Sequence, residues 1–106
     1  MKYKLTDETI EHNGRRLYRI QALKDFSNVK AGDLGGWVES EGNLNQEGNC
    51  WVFDEARISD NAWVFDDAQV FDIAWVHDTA QISGTTWITG RVWVGGRAEI
   101  KNGFVG

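Results

Sequence analysis

Cys50-Trp51-Val52-Phe53-Asp54-Glu55, Ala56-Arg57-Ile58-Ser59-Asp60-Asn61 and Ala62-Trp63-Val64-Phe65-Asp66-Asp67 repeat one six-residue pattern three times in a row. The pattern runs on through Ala68-Gln69-Val70-Phe71-Asp72-Ile73, Ala74-Trp75-Val76-His77-Asp78-Thr79 and Ala80-Gln81-Ile82-Ser83-Gly84-Thr85. Thr86 to Arg91, Val92 to Arg97 and Ala98 to Gly103 complete nine consecutive hexads. The third position is always Val or Ile, the first is small or Val, and the fifth is Asp, Gly or Asn. Chance does not hold three constraints over so many units, and an internal period of this kind marks a repeat architecture.

Alternate residues of a strand face the same side, so positions one and three point inward while two and four point out. Val and Ile suit a pleated, buried surface, and Asp, Asn and Gly tolerate the left-handed backbone of a turn. Each hexad therefore supplies one short strand and one corner. A strand this short cannot bury its face alone, and the units must coil and stack into a solenoid.

The hexads resemble the hexapeptide repeat of left-handed parallel β-helices, an aliphatic residue followed four positions later by a small one. The resemblance covers Cys50 to Gly103 closely. Two further hexads are expected on Val38 and Leu44, with a two-residue bulge near Gln46–Asn49, because Leu44 and Val52 stand eight apart rather than six. Taken with its N-terminal segment, the chain resembles uncharacterised YdcK-like hexapeptide proteins of bacterial and prophage genomes. The resemblance implies triangular coils of three hexads. A competing period exists, since Trp51, Trp63, Trp75 and Trp87 recur every twelve residues, and a flattened two-hexad coil would stack them in one ladder. The triangle instead places Trp51 and Trp87 on one face, Trp75 and Trp93 on a second and Trp63 on the third.

Residues 1–34 lack the hexad and are expected to form a β-hairpin that caps residues 35–106, all in one folding unit. Asn13-Gly14 is a two-residue turn signal. Counting outward pairs His12 with Arg15, Glu11 with Arg16, Ile10 with Leu17, Thr9 with Tyr18 and Glu8 with Arg19. Leu23 to Phe26 either extends the second strand or starts a turn of helix. At the other end Ile100, Phe104 and Val105 are expected to meet a second copy in a homo-oligomer; the alternative is that Phe104 and Val105 fold over the end.

The net charge of −5 is unevenly spread: between Glu39 and Asp78 there are ten acids and one base, Arg57. Such a surface repels phosphate backbones, so no direct nucleic-acid partner and no anionic membrane is expected. No apolar run approaches the ~18 residues that cross a bilayer, and a cytoplasmic location is expected. Cys50 is the single cysteine and cannot form an internal disulfide.

The residues expected to engage a protein partner are the outward aromatics Trp51, Phe53, Trp63, Phe65, Phe71, Trp75, Trp87 and Trp93, with Asp66, Asp72 and Asp78. Stacking between coils is an equal explanation of the same aromatics. The expected function is a non-catalytic interaction or assembly module, meeting itself or a basic protein. A sharper version is a phage inhibitor of a bacterial defence protein, acting as an acidic decoy. Acyl transfer from CoA or acyl-carrier donors is the activity best known among left-handed β-helices, and a degenerate hexapeptide acyltransferase is the second alternative. His77 is the histidine placed on an unbroken hexad, but no base partner is evident beside it, so no catalytic residue, cofactor or metal site is expected. Gly35-Gly36 and Gly95-Gly96 are expected at corners.

Overall fold

A computed structural model describes residues 1–106 as an all-β chain whose single helical element is a 3-10 turn at Glu41–Asn43. No helix is long and apolar enough to cross a membrane. Three longer strands come first: β1 (Tyr3–His12), β2 (Arg15–Ala22) and β3 (Leu34–Val38). Every hexad then contributes one two-residue strand at its second and third positions. These are β4 (Trp51–Val52), β5 (Arg57–Ile58), β6 (Trp63–Val64), β7 (Gln69–Val70), β8 (Trp75–Val76), β9 (Gln81–Ile82), β10 (Trp87–Ile88), β11 (Trp93–Val94) and β12 (Glu99–Ile100), followed by β13 (Phe104–Val105).

The strands stack in parallel with an eighteen-residue step: Trp51 lies beside Gln69, and Gln69 beside Trp87. The coil is therefore triangular, and the twelve-residue Trp period produces no ladder. The first face carries β4, β7, β10 and β13, the second β3, β5, β8 and β11, and the third β6, β9 and β12. The five tryptophans of the hexads fall on the faces the triangle assigns them, and Trp37 of β3 joins the second. The two hexads before Cys50 take a longer step. Val38 pairs with Ile58 and Leu44 with Val64, and the surplus is taken up by the bends at Gln46–Asn49.

Inside the triangle the third-position residues form three apolar columns: Val52–Val70–Ile88, Ile58–Val76–Val94 and Val64–Ile82–Ile100. The first-position residues Cys50 and Ala56 to Ala80 are buried beside them. Burying a Val or Ile fully contributes about 1.5–3 kcal/mol relative to exposure, and stacking makes each buried residue the floor of the next.

The corners explain the fifth position. Asp54, Asp60, Asp66, Asp72 and Asp78 all hold left-handed backbone, with φ between 56° and 61°. Each carboxylate accepts a hydrogen bond from the backbone N–H of the corner residue one coil on: Asp72 to Asp54 at 3.2 Å, Asp78 to Asp60 at 3.0 Å, Gly84 to Asp66 at 3.1 Å, and Gly90 and Gly96 to Asp72 and Asp78 at 2.8 Å. An aspartate thus tolerates the turn and ties its coil to the next. Half of the ten acids between Glu39 and Asp78 have this structural role.

β1 and β2 form the expected hairpin around Asn13-Gly14, with His12–Arg15, Glu11–Arg16, Ile10–Leu17 and Thr9–Tyr18 in register. The Glu8–Arg19 pair does not form as a rung. The register slips between Thr9 and Leu5, so that Leu5 meets Ile20. A bulge bends a strand, and the bend carries the start of β1 across the first coil. There Tyr3 Oη donates to the carbonyls of Leu44 and Glu41, and Lys2 Nζ donates to the carbonyl of Cys50 at 2.7 Å. The hairpin covers this end of the core and also extends the second face, since β2 pairs antiparallel with β3.

Leu23 to Phe26 neither extends β2 nor turns into helix. β2 stops at Ala22, and Phe26 bridges back to Val29 around Ser27. Gly35-Gly36 lies within β3 rather than at a corner, and its reason is close approach: a Cβ on Gly36 would stand 2.4 Å from the Ala56 carbonyl oxygen. Phe104 and Val105 do not fold over the end either. They pair with Trp87 and Ile88 as a further rung of the first face.

Candidate functional site

On the first face the outward residues of successive coils meet along the solenoid axis. Phe53 and Phe71 stack with ring centroids 4.5 Å apart, and Phe71 meets Trp87 at 5.3 Å. Trp87 stands beside Phe104 in the parallel ladder. At the corner next to this strip Asp54, Glu55, Asp72 and Ile73 are all exposed. Phe53 and Phe71 are half-buried by their own stacking, while Trp87 and Phe104 are exposed. Coil-to-coil stacking thus accounts for Phe53 and Phe71, while Trp87 and Phe104 stand exposed along the outer edge.

Trp51 is on this face but is not available to a partner. Tyr3 meets it edge-on at 6.0 Å and Phe26 at 5.2 Å, and the N-terminal segment buries it completely. Lys2 Nζ lies 4.9 Å from the Phe26 ring, above the same cluster. Desolvation pulls the Lys2 ammonium below its ordinary pKa and pushes the Cys50 thiol up, with Nζ 3.3 Å from the buried sulfur. Ile100 and Val105 are half-buried, and Phe104 is the exposed member of that group. On the third face Trp63 and Phe65 stack on each other at 3.9 Å, separately from the strip.

The second face holds the ionisable groups. Trp75 is nearly buried, contrary to its expected outward display. The His12 ring stands edge-on to it at 4.5 Å, Trp93 packs against it at 5.1 Å, and its Nε1 donates to Ser59 Oγ at 2.9 Å. His77 leans against Trp75 with centroids 4.2 Å apart, and its Nδ1 lies 3.3 Å from Asp78 Oδ2. The partner that was not evident in the sequence is therefore the next residue, brought round by the left-handed corner. The Gly96 N–H and then His77 hold the Asp78 carboxyl below its ordinary pKa. Gly95 makes room for the pair, since a Cβ there would fall 2.3 Å from His77 Cε1.

Asp60, His77 and Asp78 bring two carboxylates and an imidazole within 4.8 Å of one another. Three of the four carboxylate oxygens already have protein partners: Asp60 Oδ1 pairs with Arg15 at 3.1 Å, and Asp60 Oδ2 and Asp78 Oδ2 each accept a corner N–H. No pocket opens on any face. Of the expected acids, Asp66, Asp72 and Asp78 all stand exposed at corners, each with one oxygen engaged in the ladder.

Fold and surface together define a hexapeptide-repeat β-solenoid with a hairpin packed over one end. No protein-family model matches the chain. Among curated proteins it is similar to one of Escherichia coli (strain K12) named "Uncharacterized acetyltransferase YdcK", 39% identical over 66 residues. That match covers 55% of this chain and 20% of the relative, so the chain spans about a fifth of the protein it resembles. The expectation of a chain with no enzymatic character is corrected by this similarity. The relative carries the name of an acetyltransferase, which points toward enzyme activity rather than away from it.

Proposed function

We propose that the solenoid is a rigid association module, and that the strip Phe53–Phe71–Trp87 is its contact surface for a basic protein. The carrying observation is the juxtaposition of a continuous aromatic strip with the exposed carboxylates of Asp54 and Asp72 along one edge; the neighbouring Glu55 is already held by Arg19 and Trp37. The strip supplies flat, preordered area at little entropic cost, and the carboxylates select for Lys and Arg and steer the encounter. Self-association belongs to the same reading, since a second copy can also cover exposed Trp87 and Phe104. Light scattering behind size exclusion, at low and high salt, measures the self-associated fraction. Affinity capture from bacterial lysate with wild type, Trp87→Ala and Trp63→Ala then measures the partner. A basic protein lost with Trp87→Ala and kept with Trp63→Ala is expected. A wild-type monomer that retains nothing, or equal loss with both variants, overturns the reading.

A second reading, acyl transfer, is favoured by one observation, the His77 Nδ1–Asp78 Oδ2 approach. A proton held on Nδ1 by the carboxylate leaves Nε2 as the basic nitrogen. It would take the proton of an acceptor hydroxyl or amine as that atom bonds to the acyl carbon of a thioester. The C–S bond breaks, and the proton passes to the departing thiolate. The named relative supports this class of reaction. The faces of this chain are flat, so the donor's binding walls would have to come from a second copy or another chain. Acyl-CoA hydrolysis or transfer abolished by His77→Ala, with the fold intact by circular dichroism, supports the reading. Equal turnover in wild type and variant sinks it.

A further inference from the structure

We propose that the tip of the N-terminal hairpin is a latch closed over the second face, and that mild acid releases it to uncover Trp75 and the His77 ring. The covering is specific. Trp63, Trp87 and Trp93 occupy the same hexad position and are 38%, 47% and 70% exposed, whereas Trp75 is 9% exposed. Trp93 and His77 of the coils pack against it, and what the hairpin adds over it is His12, the last residue of β1 before the turn.

Two fastenings hold the tip. Arg57 on β5 donates from NH1 to His12 Nδ1 at 2.8 Å, an arrangement that requires the imidazole to be neutral at that nitrogen, because a guanidinium has no acceptor. Arg15, on the other side of the turn, reaches Glu39 and Asp60 at 3.1 Å each. His12 Nε2 and Arg57 Nε are both buried without hydrogen-bond partners, so the contact is sealed from water but incompletely satisfied. Such groups make a closed state that little is needed to open.

The groups facing His12 make its response one-directional. Arg57 on β5 and His77 on β8 are the charged or chargeable neighbours, and the carboxylates of Glu39 and Asp60 are turned to Arg15. Protonating Nδ1 replaces an acceptor by a donor against a permanent cation. Burial and then Arg57 hold His12 below its ordinary value of 6.5 while the tip is closed. The closed form thus binds fewer protons than the open one. Closure is complete above the open-state value and is lost as pH falls from about 6.5 toward the depressed closed-state value, by up to tenfold per pH unit. Glu11 and Arg16 pair with each other on the exposed side of the tip and do not enter this balance.

Amide hydrogen exchange on the whole chain tests the latch, at about pH 7.5 and about pH 5.5 and after correction for intrinsic rates. Protection of Ile10 to Leu17 should fall by several-fold to tenfold on acidification, while the amides of β5 to β10 hold and report the intact fold. His12→Asn keeps an acceptor near Arg57 and cannot titrate, so its tip should stay equally protected at both pH values. The His12 ring resonances should titrate over the interval in which tip protection falls. A wild-type tip that does not change relative to the coils overturns the proposal. So does an equal loss in His12→Asn, which would show that the release does not depend on His12. A His12 midpoint at or above about 6.5 overturns it as well.

Discussion

Substituting Asp72 separates the two roles that the corner gives it. Its backbone stands at φ 61°, and its Oδ2 accepts the Gly90 N–H at 2.8 Å. Asp72→Asn keeps both an αL-tolerant residue and an acceptor, and should change stability by less than about 0.5 kcal/mol. Asp72→Gly keeps the conformation but loses the acceptor. A hydrogen bond to a charged group contributes about 1.5–3 kcal/mol when sheltered, and about 1 kcal/mol is the appropriate figure at this exposed corner. The freer unfolded chain of the glycine variant adds roughly 0.5 kcal/mol to the loss. Asp72→Ala loses the bond and also the short polar side chain that lets Asp and Asn tolerate left-handed backbone, a further cost of about 1 kcal/mol, for a total of about 2 kcal/mol. The expected order of cost is Ala, then Gly, then Asn. Urea unfolding followed by both circular dichroism and tryptophan fluorescence measures it, with coincident transitions and an unchanged m-value as the condition for comparing midpoints. Alanine no worse than glycine would refute the conformational part of the reasoning, and Asn as costly as Ala would refute the whole of it.

Gly84 and Gly90 hold similar left-handed backbone, but a Cβ on Gly84 would fall 1.8 Å from the Lys101 carbonyl oxygen while one on Gly90 meets nothing within 4 Å. Gly90→Ala should therefore cost about 1–2 kcal/mol, and Gly84→Ala clearly more, with loosened exchange in β12 and β13. Lys2→Met removes the donor that serves the carbonyls of Cys50 and Gly48 and the Cys50 sulfur. Leaving such buried acceptors unpaired should lower stability by about 1–3 kcal/mol in thermal or urea unfolding. Cys50 is fully buried and its thiol is pushed up by desolvation, so it should resist an aromatic disulfide reagent in the native protein and react at the rate of unfolding. Rapid native reaction would show that Lys2 and Tyr3 do not close this end in solution.

The solenoid was legible in the sequence because its cause is local and repeated. One aliphatic, one small and one turn-forming residue per hexad fix strand, corner and spacing together, and the eighteen-residue step follows once three corners close a coil. Even the irregular place was visible, since two surplus residues before Cys50 can only bulge. The hairpin was legible only near its turn. Asn13-Gly14 sets the first four pairs, but the slip between Thr9 and Leu5 arises from what Tyr3 reaches, the carbonyls of Leu44 and Glu41. No pattern within residues 1–12 encodes a partner about forty residues away, and a tertiary demand of that kind overrides regular pairing.

The surface was harder to foresee for a related reason. Position two of a hexad points outward, yet outward is not the same as exposed. Trp51 and Trp75 obey the repeat in direction and are covered by segments that do not repeat, Phe26 and Tyr3 over one and His12 over the other. Conversely, the His77–Asp78 approach was present in the sequence as two adjacent residues, but adjacent strand residues point to opposite sides. Only the left-handed turn at Asp78 swings its carboxylate back to within 3.3 Å of Nδ1. The same corner device that spends aspartates on holding coils together thus creates, at the one corner where a histidine precedes it, an imidazole with an orienting carboxylate. Chemistry on this scaffold arises where the repeat is decorated, and whether it can be reached is decided by the part of the chain that does not repeat.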